Sequence, residues 1–289
     1  MFQQQTETAP LRRVIIGRHE GYRAHPAYEE IVNEEQKKGL PTEAELAPEF
    51  RAFREALESE GVEVLLPDYV GKFVYDQLTP RDIGMVIGDR FLICNMARAS
   101  RRYEVAGIFP HIATEEGAEP NILIPDQADA LMEGGDLMVD KGVLFVGISQ
   151  RTNEAGLAYL QQTFGSAFDV MPIHCKALAE GENVLHLDCT FNPVGRRHCL
   201  IYPDGFRDIP AFIKDRYEWI PVGKKEQAVL ATNVLSVNEE TVISRKHPAC
   251  QRVNEAMRAA GLRVIEVPFD GAPSTGGSFR CCSLPLERG

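Results

Sequence analysis

What the 289 residues lack narrows the field first. No stretch approaches 18 consecutive apolar residues, so no membrane-crossing helix is expected. The opening MFQQQTETAPLRR has no apolar core ahead of a cleavage site, so a soluble, cytoplasmic protein is expected. Positive charge is scarce. With 31 Lys and Arg against 42 Asp and Glu, a formal charge of −11, the surface repels phosphate backbones and anionic lipid. Neither nucleic acid nor a membrane is therefore an expected partner. GxxxxGK[ST], GxGxxG and GxSxG are all missing, which removes the phosphate loop, the dinucleotide fingerprint and the serine-hydrolase elbow. CxxC and HExxH are missing too. The loose set His174-Cys175, His186, Cys189 and His198-Cys199 lacks metal-ligand spacing, so no metal or other cofactor is expected. Seven cysteines, an odd number without framework spacing, read as free thiols in a reducing compartment. No Pro-, Gly- or Ser-rich linker divides the chain, and residues 1–289 read as a single domain.

The residues that are present show a repeated pattern. Thr42-Glu43-Ala44-Glu45 is a capping box, and Phe50, Phe53 and Leu57 follow at helical spacing up to Gly61. Asn153 can cap a helix over Leu157, Leu160 and Phe164 that Gly165 would stop. Pro248 suits the first turn of a helix carrying Val253 and Met257, which Gly261 ends. Strands recur as hairpins. PRDIGMVIGDRFLIC turns at Gly88-Asp89 and GGDLMVDKGVLFVG at Asp140-Lys141-Gly142. LDCTFNPVGRRHCLIY turns at Gly195-Arg196-Arg197 and ATNVLSVNEETVIS at Asn238-Glu239-Glu240. The first strand of each opens with a polar residue, Asp82, Asp136, Asp188 or Asn233, spaced by 54, 52 and 45 residues. At least two hairpins run on into a helix and a further strand, so the unit is hairpin, helix, strand. With an N-terminal copy around RRVIIGR, five units of about 58 residues fill the chain, an α/β repeat of propeller type. Strands set around an axis bring their polar leading residues to its centre. Segments 20–40 and 110–130 carry no motif and read as rim or lid elements.

Chemistry concentrates in three places. In LHLDCTFN, strand alternation puts His186 and Asp188 on one face and sends Leu187 and Cys189 to the other. A core histidine beside a turn-proximal aspartate gives the same short motif. In GAPSTGGSFRCCSLPLER, paired glycines let the backbone turn tightly before Cys281, a candidate nucleophile if a cation or histidine lowers its thiol pKa. A small buried hydrophobe is the alternative fate of that cysteine. Cys281 and Cys282 point to opposite faces of an extended chain, so at most one reaches a site. Glu133-Gly134-Gly135-Asp136 sets two carboxylates around a glycine pair and, with Asp82 and Asp188, makes an acidic set. Several carboxylates with one histidine and one cysteine suit a planar guanidinium attacked by a thiolate.

Taken in order, PRDIGMVIGDRFLI, EGGD, FVGISQRTN, LHLDCTFNPVG and GGSFRCCSLPLER resemble the guanidino-group-modifying superfamily over about Leu78 to Arg288. That superfamily includes dimethylarginine dimethylaminohydrolase, arginine deiminase and arginine:glycine amidinotransferase. The resemblance implies a five-bladed α/β propeller (pentein) of ββαβ units. It implies Cys281 as the nucleophile that forms a covalent amidino-thioether, His186 as acid and base, and Glu133 as the group that orients the imidazole. Asp82 and Asp188 would hold the guanidinium nitrogens. Arg151, in SQRTN, matches the position that binds the substrate carboxylate in the dimethylaminohydrolase, and Arg101, in RASRRYE, would help with an anionic group.

Two subfamilies divide these motifs. SQRTN and the chain length look like the dimethylaminohydrolase; PRD, MAxxSR and HLDCTFN look like the amidinotransferase. A cysteine-dependent hydrolase of a guanidino compound, arginine or a derivative, is the leading expectation. Amidino transfer from an arginine-like donor to an amine comes next, and a dihydrolase is a third enzymatic variant, against which both guanidinium aspartates argue. A non-catalytic propeller that binds a partner stands apart from these, and a scaffold would have no reason to keep Glu133, His186 and Cys281 together. The expected partner is a small-molecule guanidino substrate; a homo-oligomer is left open.

Overall fold

Five three-stranded sheets organise the protein, seen here in a computed structural model that describes residues 2–22, 40–71, 74, 77–114 and 121–289. The rim expectations on segments 20–40 and 110–130 fall partly on 23–39 and 115–120, which lie outside the described residues.

The first sheet combines β1 (Leu11–Ile16), β2 (Glu63–Leu65) and the last strand, β15 (Ser283–Arg288). The second holds β3 (Gly84–Ile87), β4 (Arg90–Ile93) and β5 (Ile122–Leu123). The third holds β6 (Leu137–Asp140), β7 (Val143–Ile148) and β8 (Asp169–His174). The fourth is β9 (Phe191–Val194), β10 (His198–Ile201) and β11 (Glu218–Pro221), and the fifth β12 (Leu235–Ser236), β13 (Thr241–Arg245) and β14 (Arg263–Val267). In every sheet an antiparallel pair is followed by a parallel one. The parallel step requires a crossover, and a helix supplies it each time. These are α1 (Glu43–Ser59), α2 (Val105–Ala113), α3 (Glu154–Phe164), α4 (Ala211–Arg216) and α5 (Gln251–Ala259). The expected ββαβ repeat is therefore present, and the fold is a five-bladed α/β propeller.

Local chemistry explains the element boundaries. The Thr42 side chain accepts from the Glu45 amide while the Glu45 carboxylate accepts from the Thr42 amide at 2.7 Å, so the capping box starts α1 as read. Asn153 caps α3 through the Gly156 amide at 2.9 Å. A short 3-10 turn, Pro248–Cys250, leads into α5.

One expectation needs correction. Asp82, Asp136 and Asp188 do not begin strands. They sit in single 3-10 turns, Pro80–Ile83, Gly134–Asp136 and Leu187–Cys189, ahead of β3, β6 and β9. Alternation along a strand is therefore not what orients His186 and Asp188. The N-terminal unit expected around RRVIIGR is present; that segment forms its middle strand, and β15 takes the innermost place by antiparallel pairing from Leu11↔Arg288 to Ile16↔Ser283. The ring is thus closed by hydrogen bonds between the two ends of the chain, reinforced by Arg288 N–H to the Gln3 carbonyl at 2.6 Å.

Apolar residues fill the space between sheets and helices in four clusters. One centres on Phe53 of α1, whose ring lies 4.9 Å from Phe279 and 5.8 Å from Phe269, tying the helix to the segment before Cys281. Phe53 is fully buried, so Phe53→Ala should cost about 3–5 kcal/mol, read as a lower urea midpoint at unchanged m-value.

Candidate active site

Each blade delivers one residue to the same interior region through the turn that precedes its innermost strand. Asp82, Asp136, Asp188 and Asn233 do so from blades two to five, and all four are buried. Because β15 is innermost in blade one, the corresponding turn there carries Cys281, 48 residues beyond Asn233. The periodicity that marks the acidic residues therefore runs on to the cysteine.

The Cys281 sulfur has two polar neighbours. Asn233 Nδ2 donates to Sγ at 3.1 Å, and Sγ lies 3.4 Å from Asp188 Oδ2. Asn233 Oδ1 also accepts from the Cys281 amide at 3.1 Å and the Ser278 amide at 3.3 Å, which fixes the turn around the sulfur. The same Asp188 oxygen accepts from Arg280 Nη1 at 3.0 Å. Cys282 joins the apolar cluster of Leu78, Phe269 and Phe279. One cysteine thus reaches the polar interior and its neighbour does not, although the two occupy a turn rather than extended chain.

His186 lies between carboxylates. Its Nε2 is 2.8 Å from Glu133 Oε2 and its Nδ1 3.6 Å from Asp82 Oδ1. Burial opposes the imidazolium, but Asp82, Glu133 and Asp136 outweigh it and push the His186 pKa up to about 10. Burial also raises the Asp82 carboxyl, yet His186 and Arg101 hold it below the usual range. Asp82 Oδ1 has no hydrogen-bond partner among the described residues. Burial comes first for Cys281, and Asp188 and Asp82 add to it, leaving the thiol well above its ordinary value. These surroundings favour a neutral thiol beside a protonated imidazole.

Glu133 is completely buried and accepts from the Ala97 amide at 3.1 Å. Arg151 Nη1 stands 3.9 Å from Glu133 Oε1 and has no hydrogen-bond partner among the described residues. Arg101 gives Nη1 to Asp82 Oδ2 at 2.6 Å, Nε to Glu104 Oε1 at 2.8 Å and Nη2 to Thr79 Oγ1 at 2.8 Å. Its fork is engaged within the protein.

Three residues the motif reading left without a role belong to the same network. Asp136 accepts from Ser149 Oγ at 2.6 Å, Thr152 Oγ1 at 2.7 Å and the Leu187 amide at 2.9 Å, linking the loop that carries Arg151 to the backbone beside His186. Burial pushes Asp136 up to about 7 against the pull of His186 and these donors. Asn233 was marked by its place in the repeat and Arg280 by its adjacency to Cys281; neither signal assigns a contact.

The glycine pair of EGGD has a steric cause. A Cβ on Gly135 would stand 2.6 Å from His186 Nδ1 and 2.9 Å from Asp82 Oδ1, so any side chain there displaces the imidazole. Gly276, before the cysteine turn, adopts φ +105°, a conformation that favours glycine. Of the His–Cys set considered for zinc, His174 is exposed, and Cys175, Cys189 and Cys199 lie in one apolar cluster. The group that gathers donor atoms suited to a cation among the described residues is Asp82, Glu133 and His186.

Two outcomes follow from this geometry. Gly135→Ala should lower kcat by about 10²-fold, since an ångström of imidazole displacement is enough for that, and the overpacking should cost about 1–3 kcal/mol of stability. His186 has a folded value above its ordinary 6.5, so its contribution to stability is complete below pH 6.5 and fades as pH rises through about 10. Urea midpoints of wild type relative to His186→Asn should fall across that window.

A family described as N,N dimethylarginine dimethylhydrolase, eukaryotic, matches residues 24–288. A Bacillus subtilis (strain 168) protein described as "Uncharacterized protein YkgA" is 33% identical over 98% of this chain and 94% of its own. The L-arginine:L-lysine amidinotransferase of Pseudomonas savastanoi pv. phaseolicola is 24% identical, covering 83% of this chain and 78% of its own. Among solved structures, SxtG, an amidinotransferase from Microseira wollei, superposes with a TM-score of 0.82 at 21% identity over 99% of this chain and 97% of that one. The dimethylarginine dimethylaminohydrolase of Pseudomonas aeruginosa gives 0.74 at 19% identity over 96% and 99%. No helix among the described residues is long and apolar enough to cross a membrane. The chain belongs to the N,N dimethylarginine dimethylhydrolase family, within the guanidino-group-modifying (pentein) superfamily, and is an enzyme of the hydrolase or amidinotransferase type.

Proposed function

We propose that the protein is a cysteine-dependent hydrolase of a small guanidino compound, arginine or an arginine derivative, working through an amidino-thioether on Cys281. One observation carries this reading: the buried Cys281 sulfur stands 3.4 Å from Asp188 and the buried His186 Nδ1 3.6 Å from Asp82, so both reactive groups lie beside carboxylates brought in by equivalent turns. Without a ligand, that negative surround holds the thiol neutral. A guanidinium bound between Asp82 and Asp188 reverses the local field and favours the thiolate, the thiol proton leaving to solvent as the cation enters, so the substrate's own charge prepares the nucleophile.

The sulfur then attacks the central guanidinium carbon, and protonated His186 gives its proton to the departing amine. Neutral imidazole next takes a proton from water, which attacks the same carbon; the C–S bond breaks and a ureido product leaves. Glu133 steadies the charged imidazole. Arg151, with a buried terminal nitrogen lacking a hydrogen bond among the described residues, suits a substrate carboxylate. Arg101 suits a different task, holding Asp82 in position, because its donors already serve Asp82, Glu104 and Thr79.

Amidino transfer is the second reading. A cavity of about 580 Å³, lined by Leu185, Cys189, Leu230 and Pro273–Gly276, borders the loops that lead to His186 and Cys281 and has room for an acceptor amine. The kinship with the lysine-using amidinotransferase supports it.

Intact-protein mass spectrometry across a panel of guanidino compounds tests both readings. A one-carbon amidine adduct that is absent in Cys281→Ser is expected, and His186→Asn should slow turnover by about 10²–10⁴-fold. Ureido product formed without an added amine supports hydrolysis; product formed only with an amine supports transfer. Normal turnover by Cys281→Ser would overturn both.

A further inference from the structure

Beneath the cysteine turn the five innermost strands enclose a second charged cluster. Arg81, Arg280 and Arg288 are among the largest fully buried side chains, and Glu7 is buried with them. Arg81 comes from the turn before β3 and Arg280 from the turn before β15. Arg280 Nη2 reaches the Leu137 carbonyl of β6 at 2.8 Å, Nη1 meets Asp188 ahead of β9, and Arg288 Nη2 meets the Ser236 carbonyl of β12 at 2.8 Å. The cluster therefore touches every blade and lies on the axis.

Its charges do not cancel. Glu7 pairs with Arg280 at 3.2 Å and Asp188 pairs with the same guanidinium at 3.0 Å, so both carboxylates share one arginine. Arg288 places its terminal nitrogens on the carbonyls of Ala9 and Ser236, each at 2.8 Å. Arg81 has only Nε engaged, on the Arg280 carbonyl at 3.3 Å. Its Nη1 and Nη2 are buried and have no hydrogen-bond partner among the described residues. Among the described residues of the cluster three guanidinium charges stand against two carboxylates, so one buried positive charge has no counter-charge there, an arrangement that is costly unless an anion completes it. Water would satisfy the donors but not the charge.

We propose that the terminal nitrogens of Arg81 hold a small monovalent anion of halide size on the propeller axis. The neighbouring guanidiniums of Arg280 and Arg288 supply a field of the same sign. Burial and these two charges lower the Arg81 pKa to about 9, partly offset by Glu7 and Asp188, which leaves it protonated at neutral pH. The Arg81 amide also donates to the Cys281 carbonyl at 3.2 Å, so an anion on this side chain braces the turn that presents the sulfur. The inference is independent of whether the enzyme hydrolyses or transfers.

Crystals of the wild-type enzyme grown in sodium bromide provide the direct test. An anomalous bromide peak within hydrogen-bond distance of Arg81 Nη1 or Nη2 is the expected result. In solution, melting in sodium chloride should exceed melting in sodium gluconate at equal ionic strength by about 3 °C or more, and Arg81→Met should abolish the difference. Water density without anomalous signal at Arg81 would overturn the proposal. A halide-dependent melting shift that persists in Arg81→Met would overturn it as well. If that variant does not fold, the wild-type bromide crystal decides alone.

Discussion

The pairing of the last strand with the first is the constraint on which the rest of the molecule depends. Blade one has its middle and outer strands from the N-terminal region and takes its innermost strand from residues 283–288. Without that pairing, β1 would present an unsatisfied edge and the ring of sheets would stay open. The same pairing positions the turn at Cys281, because the cysteine lies two residues ahead of β15. Closure of the fold and delivery of the sulfur are one event in structural terms.

Electrostatics decides the state of the interior that closure creates. Carboxylates buried around a thiol keep it protonated, and carboxylates around an imidazole keep it charged. Both tendencies come from the same negative surround acting on groups of opposite sign in their ionised forms. Such a site is poorly suited to an anionic ligand at the sulfur and well suited to a flat cation that spans Asp82 and Asp188. The hydrogen bonds from Asn233, Arg101 and Arg280 fix the groups that produce this field, so little reorganisation is needed when a ligand arrives.

Much of this was legible in the residues. The four hairpins and their turns, the caps at Thr42 and Asn153, and the ββαβ period all follow from local chemistry that the sequence carries openly. The convergence of Asp82, Asp136, Asp188 and Asn233 followed from the period alone. What the sequence hid was long-range. Strand alternation is a local rule and gave the wrong backbone for His186–Cys189, which a 3-10 turn occupies. The swap of β15 into blade one cannot be read from RRVIIGR, since nothing local distinguishes a middle strand from a leading one. Arg101 illustrates a related limit: its motif marks it as important, but only the fold shows that its donors point at Asp82 and Glu104 rather than outward. The axial arginines stand inside quoted motifs, Arg81 in PRD and Arg280 and Arg288 in GGSFRCCSLPLER, but nothing local shows that they meet.

The closed ring also has a consequence for how the molecule is made. During synthesis every blade but the first can assemble from contiguous chain, whereas β1 waits for β15, far along the chain at residues 283–288. Contacts of such wide separation are slow to form, and β1 remains an exposed edge until they do. Because Cys281 lies on the segment that ends this wait, the interior around its sulfur is complete only once the first sheet closes, after the other four can have folded.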